Sequence, residues 1–322
     1  MNEVNFNEDL KDNKYESIII GGGPAGLTAG IYLSRSRIKS LLLEKGLPGG
    51  QANLTEMIEN YPGFPEGILG PDLMQNFEKQ ALRFGLEIRN GNVLSISQIK
   101  DTEKDYFEVE VDYEKYISKT VIIASGAKAS TLGIPGEKEF TGRGVSYCGT
   151  CDGAFFKDKE IVVVGGGDTA IEEALFLTRF ASKVSVIHRR DQLRATKILQ
   201  ERAFSNKKIE FIWDSIVVEI KGNQKVESVI LKNVKTNLNK IFPCQGIFIF
   251  TGYTPVYPSF DKLPEKIVNQ YGYIISDENM MTKVEGIFAC GDVRYKLLRQ
   301  VVTACGEGAI AAFSVEKYLN IL

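Results

Sequence analysis

The chain has 322 residues, enough for two domains that each bury a core. Hydrophobic residues make up 43% of it and charged residues 25%, the balance of an ordinary globular protein rather than a disordered or fibrous one. A net charge of -2 gives no footprint for nucleic acid, and no apolar run reaches the roughly 18 residues that a membrane-spanning helix needs.

Residues 1 to 14 are polar and acidic, without the apolar segment of a secretory leader, and are expected to be a loose tail. "YESIIIGGGPAGLTAGIYLSRS" then reads as strand, glycine turn and helix. Ser17 to Ile20 form the apolar strand. Gly21, Gly23 and Gly26 have the G-x-G-x-x-G spacing, with Pro24 and Ala25 inside it, and a helix continues from Ala25 to Leu33. "SLLLEKG" is a second strand ending in Glu44, 18 residues past Gly26. That is close to the spacing of about 20 at which an acid accepts hydrogen bonds from an adenosine ribose. "TVIIASGAKAS" is a strand that ends in a small-residue turn at Gly126.

"RGVSYCGTCDGAFF" follows, with Cys148 and Cys151 spaced Cys-x-x-Cys and Asp152 next to the second. The strand–turn–helix–strand pattern then recurs in "KEIVVVGGGDTAIEEALFLTRFASKVSVIHRRDQLRA". Gly165, Gly167 and Ala170 give G-x-G-x-x-A, with Asp168 and Thr169 in the turn. Where Glu44 stood in the first copy there is now His188-Arg189-Arg190, with Arg194 four residues on. Nearer the C-terminus, "VEGIFACGDVRYKLLRQVVTACGEGAIAA" reads as a short strand, Gly291-Asp292 and a helix, with Asp292 placed to bind a polar cofactor chain at that helix.

One glycine fingerprint is a weak signal, but two in full strand–turn–helix–strand context predict two nucleotide sites. In each, the glycines let the backbone approach a pyrophosphate and the helix N-terminus offers free N–H groups. The ribose ends differ. Glu44 suits a 2′-hydroxyl and would repel a 2′-phosphate, as FAD requires, whereas the arginine forks suit the 2′-phosphate of NADPH. The bland reading of "HRRDQLR" is a solvated basic patch. Because Gly21 and Asp292 lie at opposite ends of the chain, the predicted fold is α/β, with two Rossmann-like three-layer nucleotide-binding domains. An NADPH domain, residues 127–252, is inserted into a discontinuous FAD domain made of 1–126 and 253–322, and "TGYTPVYP" is the return linker.

The Cys-x-x-Cys could hold zinc, staple a turn or carry electrons. A closed zinc site needs four ligands, and no second Cys/His pair accompanies this one. The loop is too short for a staple to constrain much chain entropy. Disulfide exchange needs a thiolate and a proton donor for the departing thiol. Many flavin-disulfide enzymes use histidine there, but the single histidine of this chain, His188, lies in the nucleotide loop, so Asp152 is the candidate. Cys244, Cys290 and Cys305 sit in apolar or small-residue stretches and read as buried fillers. Phe155 and Phe156 follow the redox motif and are candidates for a docking surface. Five cysteines, sparse and odd in number, point to the cytoplasm rather than to a secreted scaffold.

The series "GGGPAG", "GGQ" with "ENYPG", "CGTCDG", "VVGGGDTAIEEA", "HRRDQLRA" and "ACGDVR…LRQVVTA" resembles bacterial low-molecular-weight thioredoxin reductase, from about Tyr15 to Leu319. The resemblance implies a homodimeric FAD enzyme that passes electrons from NADPH to thioredoxin or a thioredoxin-like protein, with no metal. It places Gly50, Gln51 and Asn60 at flavin-loop positions, and Asp292, Arg299, Gln300 and Val301 at C-terminal flavin contacts. Gly291 and Gly126 join the flavin set, while Asp168, Thr169 and His188 join the nicotinamide set with Arg189, Arg190 and Arg194 at the 2′-phosphate. Cys151 would face the flavin, Cys148 would attack the protein disulfide, and Asp152 would handle the proton. Gly149 departs from the alanine usual in the family. Related readings are a dithiol oxidase, which would not need the arginine cluster, the reductase of a peroxidase system, and a nucleotide-sensing module without turnover. Chain order also leads to the expectation that the inserted domain swivels about hinges near Ser125 to Thr131 and Gly252 to Pro255.

Overall fold

The computed structural model describes residues 13–55, 57–99, 106–112 and 114–319, apart from the side chain of Cys151. The expected N-terminal tail therefore lies outside the described residues, save for its last two positions. The chain divides into two compact units, Met1–Lys128 with Thr254–Leu322, and Ala129–Tyr253.

The first unit begins with β1 (Lys14–Ile20), whose last four residues are all buried. A strand covered on both faces needs such an unbroken run rather than alternation. Pro24 opens α1 (Pro24–Arg35) at a position where a missing N–H costs nothing, so the helix starts one residue before the expected Ala25. Then come β2 (Ser40–Glu44), the short hairpin β3 (Met57–Ile58) and β4 (Ile68–Leu69), α2 (Gly70–Arg83) and β5 (Glu87–Asn90). An antiparallel meander follows: β6 (Val93–Ile99), β7 (Tyr106–Val111) and β8 (Glu114–Ile123). The chain leaves through β9 (Ala127–Ala129).

The second unit runs β10 (Val145–Ser146), α3 (Gly149–Asp152), β11 (Glu160–Gly165), α4 (Asp168–Leu177), β12 (Lys183–Ile187), α5 (Lys197–Ser205) and β13 (Ile209–Ile212). Three antiparallel strands follow, β14 (Ser215–Gly222), β15 (Val226–Asn233) and β16 (Asn239–Pro243), and then β17 (Ile247–Phe250). The predicted return linker contains a short strand, β18 (Tyr253–Pro255). It leads back to β19 (Ser259–Lys262), β20 (Ile287–Ala289) and α6 (Val301–Tyr318).

Each unit is three-layered around a sheet whose side chains alternate between two cores. In the first, the sheet order is β19-β6-β7-β8-β1-β2-β5, with β20 also on β8. Ile19, Leu42 and Ile122 pack under α1, α2 and α6. Their neighbours Ile18, Ile20, Leu41, Leu43, Val121 and Ile123 face the meander and the C-terminal segment. In the second, the parallel sheet β10-β17-β11-β12-β13 carries α4 and α5 on one face and the antiparallel trio near the other. Thus Val163 and Phe248 point to the helices, while Val162, Val164 and Ile249 point away from them. No helix of the described residues is long and apolar enough to cross a membrane.

Helices α1 and α6 meet backbone to backbone. A Cβ on Gly308 would lie 2.2 Å from the carbonyl oxygen of Ala25 and 3.2 Å from the amide nitrogen of Ala29. Gly308→Ala is expected to cost about 1–3 kcal/mol of stability, the usual penalty of overpacking. A thermal melt that does not move would show that the two helices can part freely.

Candidate functional site

In the first unit the parallel strands β1, β2, β8 and β20 end side by side, and their carboxyl ends carry the predicted nucleotide residues. The glycine turn Gly21–Gly26 joins β1 to α1, Glu44 ends β2, Gly126 follows β8, and Gly291 and Asp292 follow β20. Glu44 accepts a hydrogen bond from Gly22 N–H at 2.7 Å on one oxygen and from Gly46 N–H at 3.1 Å on the other. Two backbone amides thus fix the carboxylate at the strand end. The loop carrying Gly50 and Gln51 is pinned to the same turn, because Gly49 N–H donates to Gly22 O at 2.7 Å. Asn60 Nδ2 donates to Gln300 Oε1 at 3.0 Å, so two predicted flavin contacts from distant segments meet. Gln300 and Thr303 form a capping box at the start of α6, immediately before Val301.

The helix expected directly after Gly291-Asp292 begins later. Gly291–Val293 forms a single 3-10 turn, and α6 starts at Val301. The turn is nonetheless held by that helix, since Glu307 Oε2 accepts from Gly291 N–H at 2.8 Å. Glu307 also pairs with Arg294 at 3.0 Å and with Lys296 at 3.2 Å, and Lys296 reaches Asp292 Oδ1 at 3.4 Å. Burial pushes the Asp292 carboxyl up, while Lys296 and Arg299 pull it back down. Arg299 lies over the Tyr273 ring, 4.3 Å from its centroid. Lys296 and Glu307 escaped the sequence reading, because only the folded chain brings α6 against the β20 turn.

The fit to a flavin nucleotide rests on two observations. Arg294 Nε and Arg299 Nε are buried with no hydrogen-bond partner, and Asp292 Oδ1 has only its 3.4 Å ion pair with Lys296. Space is open where Gly23 and Gly126 would carry a Cβ. Unpartnered guanidinium donors and an open backbone cradle suit the phosphates of FAD.

In the second unit, Gly165 ends β11 with Phe250 O only 2.5 Å from where its Cβ would be, and the space at Gly167 is open. Arg194 N–H and Ala195 N–H donate to Gly166 O at 2.7 and 3.1 Å, and Asp168 Oδ1 accepts from Thr196 N–H at 2.6 Å. The basic loop is therefore tied to the glycine turn, with Thr169 in the first turn of α4 beside it. Arg189, Arg190 and Arg194 are exposed. His188 is not: it is 5% exposed, its ring fills the space a Gly166 side chain would need, and it stands edge-on to Trp213. Burial lowers its pKa below 6.5, and the fields of Arg194, Arg189 and Arg190 lower it further. These side chains form a cationic rim over a neutral imidazole, suited to a 2′-phosphate.

Cys148 is disulfide-bonded, whereas Cys244, Cys290 and Cys305 are free thiols. The side chain of Cys151 lies outside the described residues, although its backbone belongs to α3. Ser146 Oγ accepts from Cys148 N–H at 3.1 Å, and Asp152 N–H donates to Cys148 O at 3.2 Å, closing the turn. Asp152 is half-buried. Buried Glu137, another residue the sequence did not flag, accepts from the Leu132 and Gly133 N–H groups at 2.8 and 2.7 Å and from Tyr147 O–H at 2.8 Å. It anchors the residue just before Cys148. Phe155 is 73% exposed, while Phe156 is buried edge-on to Phe248, so only the first remains available for docking. Cys244 and Cys290 are buried; burial pushes the Cys244 thiol up to about 12. Cys305 is half-buried and hydrogen-bonds Thr28 and Tyr61.

The pyridine nucleotide-disulphide oxidoreductase family matches residues 15–308. The thioredoxin reductase of Bacillus subtilis (strain 168) is 51% identical over 96% of this chain and 96% of its own length. That of Listeria monocytogenes is 48% identical, over 96% of this chain and 95% of its own. Among solved structures, Lactococcus lactis thioredoxin reductase in its FR conformation has a TM-score of 0.91 at 49% identity, covering 96% of this chain and all of that one.

The buried histidine gives the second unit an acid sensitivity. Its folded pKa is lowered, so below about 6.5 the unfolded chain takes up a proton that the folded chain resists, and stability falls as pH falls. The melting midpoint should therefore drop, as pH falls below about 6.5, more steeply for the wild type than for His188→Gln. Parallel curves would mean that the imidazole protonates in the folded protein at no cost.

Proposed function

Because the chain belongs to the pyridine nucleotide-disulphide oxidoreductase family, and within it to the thioredoxin reductases, we propose that it uses NADPH to reduce the disulfide of thioredoxin or a thioredoxin-like protein. The observation that carries the reading is the joint presence, in one unit, of a disulfide-bonded Cys148 with Asp152 beside it and a glycine turn rimmed by three arginines. FAD, held by the residues of the first unit, supplies the two-electron relay between the nicotinamide and the dithiol.

In the reduced enzyme, the Cys148 thiolate attacks one sulfur of the partner's disulfide. A mixed disulfide forms, and the other partner sulfur leaves with the electron pair. Cys151 then attacks the Cys148 sulfur, closing Cys148–Cys151 and releasing the second partner sulfur. The partner gains two electrons and two protons, and the enzyme's pair is oxidised. Asp152 is the carboxyl that holds and moves a proton at this turn, the single histidine, His188, being packed against Gly166 and Trp213 instead. Exposed Phe155 offers the partner an apolar contact beside the cysteines. The NADPH side is selected by Arg189, Arg190 and Arg194, with His188 propping the turn beneath them.

The same reading places the enzyme in the cytoplasm, where free thiols such as those of Cys244, Cys290 and Cys305 persist. It also makes the enzyme a homodimer. Tyr32 on α1 and Val302, Ile310 and Phe313 on α6 are exposed apolar side chains on one unit, a face suited to a second copy.

Replacing Arg189 and Arg190 by Ala is expected to weaken NADPH binding much more than NADH binding, by about 1.5–3 kcal/mol for each charge-assisted hydrogen bond removed. An unchanged coenzyme preference in steady-state kinetics would place the 2′-phosphate elsewhere. Asp152→Asn is expected to leave flavin reduction by NADPH intact while slowing disulfide reduction by roughly 10²–10⁴-fold. Stopped-flow absorbance separates the two half-reactions, and an unimpaired second half would remove Asp152 from the proton path.

A further inference from the structure

Gly149, between Cys148 and Thr150, stands where the resembled family usually has alanine, and the fold supplies a reason. Helix α4 and the turn after it lie against α3 with Glu173, Leu177 and Phe180 on one face, spaced by four and three residues. Leu177 and Phe180 approach the Cβ position of Gly153 at 3.1 and 3.2 Å. Leu177 approaches that of Gly149 at 3.4 Å. The remaining space over Gly149 is taken by Glu173, whose buried Oε2 lies 2.0 Å from where a Cβ would be. No carbon and oxygen that are not bonded approach so closely. An alanine at 149 and this carboxylate position therefore exclude each other. The conflict falls on the tip of a flexible side chain rather than on backbone, so an alanine would evict the carboxylate without unfolding either helix.

The charges that α3 and α4 themselves bring to the turn are of one kind, and Arg179, just past α4, lies over the Phe176 ring, 5.3 Å from its centroid. Besides Cys151, the ionisable side chains on α3 and α4 are Asp152, Asp168, Glu172 and Glu173, all carboxylates. Of the lysines that follow the turn, Lys159 is directed to Phe155 O at 2.7 Å and to the Phe156 ring rather than to these carboxylates. A carboxylate beside a dithiol acts on one redox state only. The disulfide carries no charge, whereas the reduced pair ionises, and a like charge nearby disfavours that thiolate. Disfavouring the reduced state makes the pair a better electron donor.

We propose that Gly149 admits the Glu173 carboxylate to the turn between the redox cysteines, and that Glu173 there makes the pair more strongly reducing. Glu173 acts through the turn and not on the partner's disulfide, so it is a positioning residue. The proposal rests on the reading of Cys148 and Cys151 as the redox pair.

The test equilibrates purified FAD-loaded enzyme with dithiothreitol redox buffers at about pH 9, above the ordinary thiol pKa of about 8.5. Maleimide trapping then counts the reduced Cys148 and Cys151. Glu173→Gln, which keeps the shape and removes the charge, is expected to move the equilibrium toward the dithiol by about tenfold, or about 30 mV. Gly149→Ala is expected to shift it the same way, and the double variant no further than either single one. Glu173→Ala stands in if the amide variant does not fold, as judged by flavin content and melting temperature. An unshifted Glu173→Gln, an unshifted Gly149→Ala, or single shifts that add in the double variant overturns the proposal. If the wild-type pair itself does not titrate, the redox reading falls as well, and the two failures are told apart by that control.

Discussion

Both units depend on backbone packed against backbone at the carboxyl end of a central strand. In the first, a Cβ on Gly21 would lie 2.5 Å from Ala124 O, at the end of the neighbouring strand β8. In the second, a Cβ on Gly165 would lie 2.5 Å from Phe250 O, at the end of β17. Each strand pair can close only if its first glycine has no side chain. Closure brings the helix N-terminus to the strand ends, and the predicted nucleotide residues of each unit gather around that point. The third position is less strict. Gly26 would drive a Cβ to 1.9 Å from Gly21 O, yet Ala170 is accommodated at the matching place in the second unit. The difference between G-x-G-x-x-G and G-x-G-x-x-A is thus a small difference in how closely helix and turn approach.

Around these two similar frames the electrostatics are opposite. Glu44 is fixed by two backbone amides as an acceptor at the end of β2. At the end of β12 the corresponding place is filled by a histidine that burial and three neighbouring arginines hold neutral. One frame favours hydroxyl donors and the other an added phosphate. The distinction needs no change of fold, only of the residues that follow the second strand of each unit.

What the sequence made legible was local. Ser17 to Ile20, the glycine spacings and Glu44 lie within one strand–turn–helix–strand stretch, so periodicity and spacing were enough to locate them. The α/β fold with an insertion followed because Asp292 and Gly21 had to share a sheet. Contacts that depend on long-range packing were not legible. Glu307 reaches the Gly291 turn from α6, Glu137 grips Tyr147 from a separate loop, and Glu173 meets Gly149 across two helices. Each is a carboxylate on an otherwise unremarked stretch, and nothing in its own neighbourhood announces the partner. The start of α6 was misplaced for a related reason. The segment after Asp292 is held by ion pairs to Glu307 rather than by helical bonds, and the capping box at Gln300 sets where the helix begins.

The split of the first unit also orders its assembly. Its sheet needs β20 beside β8, and α1 needs α6 over it, yet both partners come from the last part of the chain. The second unit is drawn from one uninterrupted stretch, Ala129–Tyr253. During synthesis from the N-terminus, that stretch can finish folding while the strand edge at Val121–Ile123 still waits for its neighbour. An unpaired, fully apolar edge is the kind that recruits other chains. The nascent polypeptide is therefore most exposed to aggregation while its inserted half is already complete, and ribosome-bound chaperones would have most to shield in that interval.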